Sequence, residues 1–261
     1  MITIESLKER PLSYSSLKEF SKSPRHYVSY LNKRTEATPA MMYGSMVHCL
    51  LLTPELFDKQ FAVMGAVDRR TKDGKIAYEE FVKSAEGKDV VTEQDYREVK
   101  QLTDYLMTFP YIEKVIKDCY DKEFHWESDN KGLPIHGYFD GVAKDYVLEI
   151  KTTQDANPKT IINDFYNRMY HLQAGMYNYA TGKPIKYLII ETKAPNCFYL
   201  ADADSMYVDF GKHKMNSLLK SFKECMDNNT WDMSYDFHTG GDINISLPSW
   251  VKNLSPESLG I

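Results

Sequence analysis

The sequence predicts an α/β sandwich, a mixed sheet of about five strands flanked by helices, with an N-terminal helical portion packed against it. Three observations carry this expectation. The hydrophobic period is helical up to about residue 120. It then switches to alternation over "KEFHWES", "PIHGYFDGVA" and "YVLEIKTT", which read as three consecutive strands joined by short turns. A helix, two more strands and a long helix follow.

In order along the chain, "LSYSSLKEFSKSPRHYVSYLN" opens a helix near Ser13 to Ser15, breaks at Ser23-Pro24 and resumes through Tyr30. A serine hydroxyl there accepts an orphan backbone N–H. "TPAMMYGSMVHCLLLTPELFDKQF" is apolar up to Thr53-Pro54 and predicts a buried helix, with a second starting at the proline. Residues 65 to 90 are polar and basic at the front and helical at the back, and suggest a mobile loop. Thr92 and Asp95 form a capping-box-like start to a helix running toward Pro110. "DNKG" is the turn between the first two strands of the sheet. Asn157 and Pro158 start the next helix, which closes on Gly182 as one piece or as two with a break near Asn167. "IKYLIIETK" and "CFYLADA" are strands, and "DSMYVDFGKHKMNSLLKSFKECMDNN" is a long helix. The chain reads as a single domain: a mainly helical portion over 1–120, an α/β core over 121–230 and an irregular tail over 231–261.

Composition bounds the function. With 261 residues, 43% of them hydrophobic, the chain can bury a substantial core. Its net charge of −5 gives no global basic footprint, so contact with nucleic acid has to be local. Cys49, Cys119, Cys197 and Cys225 are far apart and form no C-x-x-C pair, which argues against a zinc knuckle or a disulfide framework. With no signal-peptide pattern and no apolar run of membrane-spanning length, the expectation is a soluble protein of the cytoplasm.

The chemistry concentrates in "GYFDGVAKDYVLEIKTT", residues 137–153. A turn centred between Lys144 and Asp145 sets Asp140 opposite Glu149, and directly paired side chains have Cβ atoms only ~4.5–5.5 Å apart. Like charges so close ask for a cation, and Mg²⁺ prefers carboxylate oxygens. Strand alternation puts Glu149 and Lys151 on one face, with Leu148 and Ile150 toward the core. From the residues alone, an exposed ribbon in which Lys151 neutralises one acid fits slightly better than a metal site.

Those residues resemble the core of the PD-(D/E)XK nuclease superfamily, in which an Asp ends one strand and a (D/E)-x-K sits on the next. "YGSMVHCLLLTPELF" resembles the G-x-x-x-H helix of the RecB-like branch, with Gly44 and His48 at the matching positions, and "HLQAGMYNYATG" its Q-x-x-x-Y motif, with Gln173 and Tyr177. "SLKEFSKSPRHYVSYL", "RRTKDGKIAYEEF" and "ETKAPNCFYLADAD" extend the likeness to RecE-type exonucleases (exonuclease VIII) of phages and prophages, over nearly the whole chain. Iron–sulfur RecB-like enzymes are a poor match, because the cluster-ligating cysteines are missing.

The resemblance implies a restriction-endonuclease-like core. Asp140 and Glu149 would be metal ligands, with the Ile150 carbonyl and His48 completing the site, and Lys151 would be the catalytic lysine. By its apolar neighbours alone His48 reads as a core histidine, while Gln173 and Tyr177 read equally as part of an aromatic stripe with Tyr166 and Tyr170 and as a pair that holds the active-site strands and contacts the substrate backbone. An additional acid on the first strand is Glu123 or Glu127, with Glu123 preferred. Mg²⁺ is the implied cofactor, with Mn²⁺ as substitute. DNA-contact candidates are Arg69, Arg70, Lys72 and Lys75 in "DRRTKDGK", and Ser13, Ser15 and Arg25 for a 5′-phosphate. The implied activity is 5′-to-3′ digestion of linear double-stranded DNA, leaving 3′ overhangs for a RecT-like single-strand annealing protein, by a homo-oligomer that can form a ring. A PD-(D/E)XK endonuclease and a DNA-end-binding protein without the chemistry are the alternatives.

Overall fold

The structure is a computed structural model, and it describes residues 10–33, 37–68 and 70–237. Helices α1 (Tyr14–Phe20) and α2 (Pro24–Asn32) are separated where the sequence breaks them, at Ser23-Pro24. Ser13 caps α1 reciprocally with Ser16, and Ser23 caps α2 by accepting the His26 N–H. Helix α3 (Pro39–Leu52) follows, then a single 3₁₀ turn (Pro54–Leu56) and the short α4 (Phe57–Gln60).

Residues 65–90 are not a loop throughout: the helical character at the back of the segment is an α-helix. Thr71 caps α5 (Lys72–Ser84) by accepting the Gly74 N–H. Strands β1 (Phe61–Met64) and β2 (Asp89–Thr92) on either side pair in parallel as a separate two-stranded sheet. The helix is solvent-facing along most of its length, so its composition resembles a loop while its cap and spacing are helical. Helices α6 (Glu93–Met107) and α7 (Pro110–Lys117) complete this half, α6 starting at Thr92, whose hydroxyl accepts the Asp95 N–H.

The main sheet has the order β3 (Asp121–Asn130), β4 (Leu133–Val142), β5 (Val147–Thr153), β6 (Ile185–Glu191), β7 (Phe198–Asp202). Only the β5–β6 pair is parallel. A parallel pair needs a crossover connection, supplied here by α8 (Pro158–Asn167) and α9 (Tyr170–Thr181), with the break after Asn167 at Met169, where φ is 59°. The long α10 (Ser205–Asn228) runs against α9.

Both faces of the sheet are covered. On one, α1, α2, α9 and α10 contribute Leu17, Phe20, Tyr27, Leu172, Met215 and Phe222 to a core with Val147, Tyr187 and Ile189. On the other, α3, α6 and α7 pack Val47, Leu51, Leu106 and Ile112 against Leu148, Ile150, Leu188 and Ile190. Strand β5 is therefore buried on both sides from Val147 to Ile150, as a central parallel strand should be. The acid pair consequently sits on two adjacent interior strands, Asp140 on β4 and Glu149 on β5, both buried, and the exposed-ribbon alternative does not describe this hairpin. Of the tail expected to be irregular, residues 231–237 include a 3₁₀ turn (Tyr235–Phe237) and a buried Trp231, and 238–261 lie outside the described residues.

Candidate active site

The β4–β5 hairpin has the register that its turn predicts: Gly141 faces Leu148 and Val142 faces Val147. Lys144-Asp145 is not a favoured two-residue turn sequence, and tertiary contacts hold it instead. Lys183 Nζ donates to the Ala143 carbonyl at 2.6 Å, and the Tyr146 hydroxyl donates to the Val115 carbonyl at 3.3 Å. Continued by one step, this register sets Asp140 against Glu149. There the ladder gives way to a side chain: Asp140 Oδ2 accepts the Ile150 N–H at 2.6 Å.

Helix α3 approaches the strands closely because of Gly44, where an added Cβ would lie 3.2 Å from Thr152 Oγ1. One turn further on, His48 Nδ1 is 3.4 Å from Asp140 Oδ1 and 3.8 Å from Glu123 Oε1. The G-x-x-x-H spacing is thus a close-approach residue followed by an imidazole on the same helix face. Glu123 reaches the group through its backbone. Its φ is 50°, in the left-handed region, and it falls between the paired residues Lys122 and Phe124 without pairing itself. A non-glycine residue held there costs roughly 1–3 kcal/mol and marks a site where side-chain placement outweighs backbone comfort. Strand alternation alone put Glu123 and Glu127 on one face and left the choice open. Glu123 now lies with His48 and Asp140, while Glu127 lies beside His125, 3.8 Å from its Nε2.

Lys151 Nζ donates to Glu149 Oε2 at 2.7 Å and stands 4.7 Å from the Tyr170 ring centroid. Glu149 is 1% exposed, and its other oxygen, Oε1, has no hydrogen-bond partner among the described residues. A buried carboxylate oxygen without a partner is costly, and a cation satisfies it. Gln173 Nε2 donates to the Tyr177 hydroxyl at 3.0 Å, and that hydroxyl donates to the Tyr138 carbonyl on β4. The Gln–Tyr pair therefore ties α9 to the strand carrying Asp140. It packs as well, with Tyr177 edge-on to Phe139.

The electrostatics follow from crowding. Burial alone would raise Asp140, but His48, Lys151 and the Ile150 N–H hold it below the ordinary carboxylate range. Glu149 is pushed up to about 7 by burial and by Asp140, against the opposing pull of Lys151. Burial works against a charged His48, yet Asp140 and Glu123 outweigh it and raise the imidazole to about 10. Lys151 is likewise disfavoured by burial but held charged by Glu149 and Asp140. Two nitrogen cations are thus locked onto acids. His48, Glu123 and Asp140 offer ligand atoms within 4.8 Å of one another, and this nitrogen-and-oxygen donor set, with the orphaned Glu149 oxygen nearby, fits a hard divalent cation.

The DNA-contact candidates scatter. Ser13 and Ser15 flank Tyr14, whose ring is 6.2 Å from Tyr170 and so close to Lys151, but the Ser13 hydroxyl is engaged as the α1 cap. Arg25 is exposed on α2. Arg70 grips Asp68 through both Nε and Nη2, at 2.9 and 3.0 Å, on the rim of a cleft of about 850 Å³ between β1–β2, α5 and α6. None of the candidate catalytic side chains lines that cleft. Lys72 and Lys75 are exposed on α5, and Arg69 lies outside the described residues. Sequence reasoning missed Arg168, which lines a shallow depression with Lys151, Thr152, Asp164 and Tyr170 and whose carbonyl accepts the Tyr14 hydroxyl. Its only sequence signal was the helix break that it follows.

A mixed sheet between helical layers, with two acids and a lysine meeting on adjacent central strands, defines a PD-(D/E)XK-type nuclease domain. Residues 13–236 match the family described as "PDDEXK-like domain of unknown function (DUF3799)", and the chain belongs to that family. No curated protein matches the sequence. A crystal structure from Eubacterium rectale bearing the name "Putative exonuclease" superposes with a TM-score of 0.58 at 12% identity, over 96% of this chain and 95% of that one. At that identity the likeness concerns the fold. SSO0001, 17% identical over 66% of this chain and 85% of its own, has a TM-score of 0.25, too low to indicate a shared fold.

Proposed function

We propose that the chain is a metal-dependent DNA exonuclease of the RecE type, digesting linear duplexes from their 5′ ends and leaving 3′ single-stranded overhangs. The observation that carries the reading is the meeting of Asp140, Glu149 and Lys151 beside His48 on a PD-(D/E)XK fold. The name of the Eubacterium rectale structure adds support for exonuclease over endonuclease action.

In this reading His48, Glu123, Asp140 and Glu149, with the Ile150 carbonyl, hold Mg²⁺ or Mn²⁺. When bound, the cation lowers the pKa of an attacking water and polarises the phosphoryl oxygen. Lys151 presents a fixed ammonium, oriented by Glu149 and backed by the Tyr170 ring, to position that water and offset charge growing on the phosphate. Gln173 and Tyr177 keep α9 and β4 at a fixed separation. Ser13, Ser15, Arg25, Arg69, Arg70 and Lys72 contact the DNA backbone. A cytoplasmic homo-oligomer, ring-shaped and encircling the duplex, would let an acidic chain act processively, and a single-strand annealing protein would take the overhang.

End-labelled substrates test polarity. With Mg²⁺, linear duplex labelled at the 5′ end should lose label as mononucleotide before 3′-labelled duplex does, while closed circular DNA stays intact. Cleavage of the circle would instead mean an endonuclease. Retention of linear ends without release of nucleotide would mean an end-binding protein.

A further inference from the structure

The outer face of the β3–β4 hairpin carries a second set of metal-ligating side chains. His125 and Glu127 are two apart on β3, and the register sets His136 directly across from Glu127. His125 Nε2 and His136 Nδ1 stand 3.2 Å apart, and Glu127 Oε1 is 3.8 Å from His125 Nε2. We propose that His125, His136 and Glu127 form a surface site for a zinc-class transition-metal ion, separate from the carboxylate cluster around Asp140.

The spacing is what a metal needs. Zinc–nitrogen bonds of about 2.0–2.1 Å at a tetrahedral angle put two ligand nitrogens about 3.3–3.4 Å apart. With neutral rings, one imidazole N–H donates to the other nitrogen. On metal binding that hydrogen moves to the second nitrogen of its own ring, and both facing lone pairs bind the ion. The backbone that carries them is held: the His136 main-chain N–H donates to the Leu12 carbonyl at 2.9 Å, its strand pairs with β3 on the other side, and the Tyr138 ring lies 4.7 Å from the His125 ring.

The ligand class separates this site from the other. Two imidazoles with one carboxylate suit zinc, nickel or copper, whereas Mg²⁺ selects oxygen. Glu127 is 66% exposed, and its side chain can swing onto the ion. The remaining coordination positions open to solvent, because β3 is an edge strand.

Co²⁺ serves as the probe, through its visible absorption, with Zn²⁺ in competition. In a full-length chain carrying His48→Ala and Asp140→Asn, one equivalent of Co²⁺ should bind. His136→Ala or His125→Ala should weaken it by about 100-fold, and Glu127→Gln by about tenfold. Circular dichroism verifies that each variant is folded. In the otherwise unchanged chain, replacing His125 and His136 together should lower the bound Co²⁺ by one equivalent. Failure of the first background to bind Co²⁺ at millimolar concentration, or an unchanged stoichiometry in the second, overturns the site. Neither outcome depends on whether the chain digests DNA.

Discussion

Glu149 and Lys151 show how burial converts a short motif into chemistry. Both acids of the hairpin are nearly inaccessible, so each must be neutralised by a proton, a lysine or a metal. With Glu149 pushed up to about 7 by burial and Asp140, lowering the pH through that value puts a proton where a cation would bind. The apparent Mg²⁺ affinity, measured by isothermal titration, should therefore fall as the pH drops from 8 to 6, the proton that His48 must shed to act as a ligand adding to the effect. A flat affinity between pH 6 and 8 would contradict this. Tyr177→Phe removes the hydroxyl between Gln173 and the Tyr138 carbonyl and strands a buried amide. Urea unfolding should report a loss of about 1–3 kcal/mol. Residues at this scale were legible where the backbone is regular: the facing of Asp140 and Glu149 follows from the turn. Glu123 was not resolvable from Glu127, because its positive φ breaks the alternation on which a sequence reading depends.

Among the elements, the α9–α10 pair is the tightest constraint behind the site. A Cβ on Gly211 would fall 1.7 Å from the His171 carbonyl oxygen, and one on Gly175 would fall 2.3 Å from the Gly211 backbone. Gly211→Ala must separate the helices, shifting the element that presents Gln173 and Tyr177. The expected loss is about 3 kcal/mol or more in denaturant unfolding, an overpacking penalty at a backbone contact. Stability equal to the parent's would show that the helices separate at little cost. The sequence placed α9 before Gly182 and α10 as a long helix, but not their contact. The α5 helix was legible only in part: it buries little, so it carries no strong apolar stripe, and β1 and β2 are too short to show a period.

For the whole molecule, the alternation after residue 120 was enough to predict five strands and the crossover, because a chain that switches period so sharply has few ways to cover a sheet. Which layer lies on which face was not readable, since β5 is buried on both faces from Val147 to Ile150 and β6 from Tyr187 to Ile190. An acidic chain that binds DNA does so through few cationic contacts. Replacing Arg70 and Lys72 by alanine together should lower affinity for duplexes of any sequence and reduce the log–log salt slope by about two. An unchanged slope would remove α5 from the interface. Among the described residues no helix is long and apolar enough to cross a membrane.

The most direct measurement is release of acid-soluble nucleotide from linear duplex DNA with Mg²⁺, comparing the parent chain with Lys151→Ala. The parent should digest the duplex only when the metal is present, and the variant should be slower by about 10²–10⁴-fold while remaining folded. Equal release by the two proteins would contradict the assignment of the site.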